Sequence, residues 1–139
     1  MRTIKFRGKD IETDKWVNGD LIQRIGYTPS IMFPYESNGK VYYSENAVKR
    51  ETIGQYTGLQ DKNSVEIYEG DILVWSENDC KSQPLVVMFK HGSFGYIYTE
   101  DWFHPFSGNT NFTFNPRSID MQFEIVGNIH DNPELLKGE

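Results

Sequence analysis

Apolar residues run through this chain in short bursts separated by Gly, Pro, Asn and Asp, a spacing that reads as strands and turns. Ile4 to Phe6 opens a first strand, Asp10 to Lys15 is a polar loop, and Trp16-Val17 resumes an apolar segment. Asn18-Gly19 predicts a turn because both residues tolerate positive φ, and Leu21, Ile22 and Ile25 predict a second strand after it. Ile31-Met-Phe33 is a short strand bounded by Pro29 and Pro34, and Ser37-Asn-Gly-Lys40 followed by Val41-Tyr-Tyr43 predicts a hairpin. Ser44 to Arg50 is the best helix candidate, with Ser44 as its cap and Glu45 in its first turn. It is barely two turns long, so packing would have to hold it.

From Ile53 onward the pattern is β. Ile53 and Tyr56 flank a strand ending at Gly58, Asp61 to Ser64 is a polar turn, and Glu69-Gly70 turns the chain into Asp71-Ile-Leu-Val-Trp75. That strand is apolar at successive positions, as expected when both its faces are covered. Ser76 to Pro84 is a charged loop. Leu85 to Phe89 and Phe94 to Tyr98 form a hairpin around Lys90-His-Gly-Ser93, and Met121 to Val126 is a closing strand stopped by Gly127-Asn128. Trp16-Val-Asn-Gly-Asp-Leu-Ile22 echoes Ile67-Tyr-Glu-Gly-Asp-Ile-Leu73, which reads either as a duplicated hairpin unit or as common turn chemistry used twice.

Three strings carry a wider resemblance: Ile4-Lys-Phe-Arg-Gly8 followed by Trp16; Gln55 to Val74, with Tyr-Thr-Gly-Leu, Asp-Lys-Asn and Ile-Tyr-Glu-Gly-Asp-Ile in that order; and Val126-Gly-Asn-Ile-His-Asp-Asn-Pro-Glu-Leu135. Together they resemble the YopX family of small phage and prophage proteins, which has a known fold and no established biochemical activity. The resemblance spans nearly the whole chain, though residues 22–50 and 76–120 contribute little to it. It implies a single YopX-like domain over 1–139 that is mainly β. A small SH3-like barrel (51–130) is completed or flanked by an N-terminal β hairpin region, a subdomain over 1–50, with one short helix and a tail over 131–139. Periodicity alone would also allow a sandwich. No catalytic residue comes with the family.

Length and composition agree with a packed globule: 139 residues, 37% hydrophobic, 14% aromatic, 24% charged. Tyr and Phe dominate the apolar set and suit a pleated, half-buried surface. The net charge of −6, with only Lys49 and Arg50 adjacent among the cations, works against a phosphate-binding face. No apolar run approaches the roughly 20 residues that span a bilayer, and Met1-Arg-Thr-Ile-Lys-Phe-Arg lacks a signal-peptide core. A cytoplasmic protein of a bacterial host is therefore expected, with no membrane association. Cys80 is the one cysteine, which excludes an internal disulfide and fits a reducing compartment.

The chemistry-bearing residues do not assemble into a motif. His91, His104 and His130 are far apart in sequence, without metal-ligand spacing, and read as solvated or turn-capping. Cys80 lies in a polar loop without a visible base. Gly54, Gly58 and Gly70 are too dispersed for a phosphate loop. Neither a catalytic site, a metal nor a cofactor is expected. The segment 101–116 instead places Trp102, Phe103, Phe106, Phe112 and Phe114 among Gly, Asn and Pro, the makings of an exposed interaction surface or of a plug folded back on the barrel. Arg7, Tyr56 and Tyr68 are candidates for a barrel groove, a placement that rests on fold analogy. The expected function is a non-enzymatic module that binds a second copy of itself, forming a homo-oligomer, or a host or phage protein. The alternative is a nucleic-acid-binding small barrel whose aromatics stack on bases.

Overall fold

The computed structural model describes residues 1–77, 79–98, 103–106 and 123–136. Strands take 60% of these residues and helical turns only 6%, arranged in two antiparallel sheets, one of them a half-barrel. The chain divides into two units, Met1–Tyr56 and Thr57–Glu139.

The first unit is a meander. Strands β1 (Phe6–Lys9), β2 (Trp16–Ile22), β3 (Ser30–Ser37) and β4 (Lys40–Ala47) stand in the order β4-β3-β2-β1, and the start of β5 (Gly54–Gln60) pairs with β1 on its other side. The expected turn at Asn18-Gly19 is instead the middle of β2, where Asn18 faces Arg7 and Gly19 faces Phe6. Gly19 is needed for close approach: a Cβ there would collide with the carbonyl of Met32 on β3. This also removes the duplicated-hairpin reading, since Glu69-Gly70 is a true turn, with Gly70 at φ 88°.

The expected helix at Ser44 to Arg50 is also corrected. Ser44 to Ala47 extend β4 against Phe33 to Ser30, and the only helical turn nearby is a 3-10 turn at Arg50–Thr52. Eight consecutive cross-strand pairs outweigh a marginal two-turn helix, and the Ser44 hydroxyl donates to Asn46 Oδ1 (2.7 Å) instead of capping. The hairpin turn was legible. Asn38 (φ 52°) and Gly39 (φ 74°) form the two-residue loop whose twist suits antiparallel strands.

The second unit holds the main core. Ile67, Leu73, Leu85, Val87, Phe106 and Phe123 are buried together. The continuation of β5 pairs with β6 (Glu66–Tyr68). A second sheet runs β11-β10-β9-β7-β12, built from β7 (Asp71–Glu77), β9 (Leu85–Lys90), β10 (Ser93–Tyr98), β11 (Phe103–Pro105) and β12 (Phe123–Asn128). As expected from its unbroken apolar run, β7 is buried at four successive positions, Asp71 to Val74. The segment read as a charged loop contains a further short strand, β8 (Cys80–Lys81), hairpinned onto the end of β7. β9 and β10 turn on His91 (φ 53°) and Gly92 (φ 76°). β12 runs on through Gly127-Asn128, with a register shift between Ile125 and Gly127, and the chain then makes a 3-10 turn at Pro133–Leu136.

Candidate functional site

The strings that carry the family resemblance are occupied by structural duties. Asp61, 3% exposed, accepts hydrogen bonds on Oδ1 from the amides of Asn63 (2.8 Å) and Val65 (3.0 Å), and on Oδ2 from the amide of Ile125 (3.1 Å). One carboxylate thus closes its own turn and latches that turn to β12. Asp71 Oδ2 accepts the amide of Tyr68 (2.7 Å) across the Glu69-Gly70 turn. Asn128 Oδ1 accepts from the amides of His130 (3.0 Å) and Asp131 (2.9 Å), and the Asn128 amide donates to Asn132 Oδ1 (3.2 Å). Asp61 and Asp71 thus spend these carboxylate oxygens on backbone amides at turns and strand ends. Among the described residues, no three His, Cys, Asp or Glu side chains converge as a metal cage would require, and no helix is long and apolar enough to cross a membrane.

The expected sites divide. Trp102, Phe112 and Phe114 lie outside the described residues. Phe106 is 6% exposed and packs on Tyr96 (5.6 Å between ring centroids) and Phe123 (6.3 Å), so it is core and does not belong to an open surface. Phe103 is half-buried opposite Ile97 and meets His91 edge-on at 6.0 Å. Of the groove candidates, Arg7 lies over the Trp16 ring at 4.5 Å. Tyr56 is buried with Lys5 Nζ 5.2 Å from its ring, and Tyr68 is buried in the second unit. Neither tyrosine offers an open ring, because each is an inward residue of its strand. Cys80 is exposed and forms no disulfide. His104 belongs to β11, not to a loop, and stacks on Tyr96 (5.2 Å, 19°) with Tyr98 edge-on (5.6 Å). Burial pushes the Tyr96 phenol pKa up, and Tyr98 adds to it.

The most conspicuous surface lies apart from all of these residues, on the β3–β4 hairpin. β3 and β4 pair along their full length, from Ser30 opposite Ala47 to Ser37 opposite Lys40, but β2 meets β3 only at Ser30, Ile31 and Met32. Beyond Met32 the hairpin has no other strand beside it among the described residues. Its side chains change accordingly from buried (Ser30, Ile31) through half-buried (Met32, Phe33) to exposed. Tyr35 and Tyr42 stack across one face at 5.7 Å, while Pro34, Tyr43 and Val41 occupy the other. Tyr35, Tyr42, Tyr43 and Val41 remain 49%, 44%, 67% and 62% exposed, large values for apolar groups grouped on one arm. The sequence signal was there: apolar residues stand on both sides of the Asn38-Gly39 turn without polar alternation, so neither face is a solvent face.

The base of the arm is pinned by charge. Glu45 Oε1 accepts from Arg24 Nη1 (2.5 Å) and the Ser30 hydroxyl (2.7 Å), and Asn46 Nδ2 donates to Asp10 Oδ2 (2.6 Å). Asp10 Oδ1 also takes the amides of Glu12 (2.8 Å) and Thr13 (3.1 Å). The Asn46 bond and then those amides hold the Asp10 carboxyl below its ordinary pKa, and the bonds from Arg24 and then Ser30 do the same for Glu45. A rigid base with an apolar, exposed tip is suited to docking and offers no reacting group.

The family model described as YopX protein matches residues 5–137. Among solved structures, the chain is similar to protein EF1440 from Enterococcus faecalis, with a TM-score of 0.60 and 24% identity over 99% of this chain and 100% of that one, a likeness of fold. No curated protein matches the chain.

Proposed function

The chain belongs to the YopX family, and on that footing we propose that it is a non-enzymatic protein-interaction module, a cytoplasmic accessory protein of a phage or prophage. The observation that carries this reading is the β3–β4 arm. An isolated two-stranded hairpin is marginal in water, yet this one carries tyrosines on both faces where solvent-exposed positions ordinarily favour polar residues. Exposed tyrosine and valine beyond the sheet gain free energy when a protein surface covers them. The acidic balance of the chain favours a protein over a nucleic acid as that surface.

The test is a photo-cross-linking amino acid in place of Tyr42, in the cell that encodes the protein, with the same group at Tyr27 as control. Tyr27 is 70% exposed and lies outside the arm. Protein adducts from position 42 and not from 27 support the reading. If position 42 gives no adduct with any protein, including a second copy, the reading falls.

A further inference from the structure

We propose that the outer edge of β4 is a homodimerisation edge, joining two copies as one continuous antiparallel sheet centred on Tyr43. The proposal rests on the reading of the arm as an interaction surface and names its occupant.

Edge strands invite pairing, and proteins ordinarily blunt them with shortness, proline, charge or a bulge. The other edges among the described residues are blunted in these ways, the stretch of β3 beyond Met32 by Pro34 and Glu36. β6 has three residues, β11 has three and ends in Pro105, β8 has two, and β12 is broken by its register shift and carries Glu124. β4 has eight residues in unbroken register with β3. Between Lys40 and Glu45 it reads Val-Tyr-Tyr-Ser, with no charge, proline or glycine and mostly strong strand formers.

Pair geometry fixes which groups face outward. The two-residue turn makes Ser37–Lys40 a hydrogen-bonded pair, and pairs alternate from there. Tyr35–Tyr42 and Phe33–Ser44 are then bonded inward, whereas Val41, Tyr43 and Glu45 direct their N–H and C=O groups away from β3. Pro34 fits this phase, since it sits opposite Tyr43 in a pair that needs no N–H from it. At the base the edge is closed, because the Ile11 amide donates to the Ala47 carbonyl (3.0 Å) and Asp10 bridges Val48. The open stretch is therefore Val41 to Glu45.

A row of outward backbone donors and acceptors calls for a strand, and the strand that matches it residue for residue is β4 of a second copy. Two identical strands related by a two-fold axis pair residues of the same face. Centring on Tyr43 engages all three outward residues, placing Tyr43 opposite Tyr43 and Val41 opposite Glu45. The two Glu45 carboxylates then lie roughly 14 Å apart along the strand, so no like charges oppose. Centring on Glu45 would oppose them. The arm's three tyrosines expose about 300 Å² per copy, below the roughly 800 Å² per partner of a standard stable interface. The dimer is accordingly concentration-dependent.

Light scattering across a concentration series tests this with Tyr43→Lys and Tyr43→Glu, whose fold is verified by circular dichroism. The expected result is a reversible wild-type dimer, with each variant weakened about a hundredfold or more by like charges at the two-fold. An equimolar mixture of the two variants regains the dimer. As a second readout, Tyr43→Cys in a Cys80→Ser background should cross-link two copies under mild oxidation, and Tyr27→Cys should not. A wild type monomeric at every concentration overturns the proposal. So do variants that still dimerise, or a mixture that stays monomeric. These failures leave the interaction module standing if Tyr42 still cross-links to another protein, and that adduct would identify the occupant as a partner chain.

Discussion

Removing the Asp61 carboxylate should cost the second unit more than any other exchange of a polar side chain described above. Asp61→Ala takes the acceptor from three amides at once, those of Asn63, Val65 and Ile125. The first two can turn to water as the 61–65 turn loosens. The half-buried Ile125 amide lies in β12 beside β7, and a desolvated donor left without an acceptor costs about 1–3 kcal/mol on its own. Because the other two amides regain water, each of their bonds contributes about 0.5–1.5 kcal/mol net, and the expected total loss is about 2–6 kcal/mol. Asp61→Asn keeps one oxygen for the turn but presents an amide to Ile125, so it should lose about 1–3 kcal/mol. Urea denaturation followed by circular dichroism gives the global value. With a slope of about 2 kcal/mol/M, the Ala midpoint falls by about 2 M. Amide hydrogen exchange at Ile125 gives the local one. A midpoint within experimental scatter of wild type, or an Ile125 amide as protected in Asp61→Ala as before, would refute the latch.

Two further predictions concern one unit each. In the first unit, Asp10, Glu45 and Asp14 have depressed folded-state pKa values, the last because Lys49 donates to it at 2.6 Å with Lys9 at 3.7 Å. A carboxylate more acidic folded than unfolded lends stability that is complete above the unfolded value and drains away as pH falls through the folded one. Melting of this unit should therefore be insensitive near neutrality and fall below about pH 4. Asp10→Asn should flatten that fall, and an unchanged profile would argue against the Asp10–Asn46 bond. In the second unit, Phe106→Ala should destabilise by about 3–5 kcal/mol in scanning calorimetry, and a cost under about 1 kcal/mol would return Phe106 to the surface.

What the sequence revealed was what neighbours decide. The turns at Asn38-Gly39, Asp61–Ser64 and Gly70 were legible because their chemistry is complete within a few residues. So was the buried run of β7. Asn18-Gly19 misled because the same pair serves a turn or a close approach, and the deciding atom is a carbonyl on a strand thirteen residues away, at Met32. The Ser44–Arg50 helix misled because short-range capping signals carry no knowledge of register with β3. The aromatic arm was read as an ordinary hairpin, since its exposure depends on where β2 stops pairing. For Phe106 a loop-like sequence allows both a surface and a plug, and only the inward packing of its side chain decides for the core.

The pairing of β7 with β12 also orders events during synthesis. Every strand pair of the first unit is closed by residues no later than Gln60. The second unit differs: Trp75 faces Phe123 and Asp71 faces Asn128. Ile67, Leu73, Leu85 and Val87 thus leave the ribosome well before Phe123, the ring that completes their cluster. During that interval β7 has its β9 neighbour but an open apolar edge where β12 belongs, the kind of species that chaperones attend. The N-terminal sheet has all its own strands by then, so translation hands the cell a half-finished molecule with one unit already able to fold.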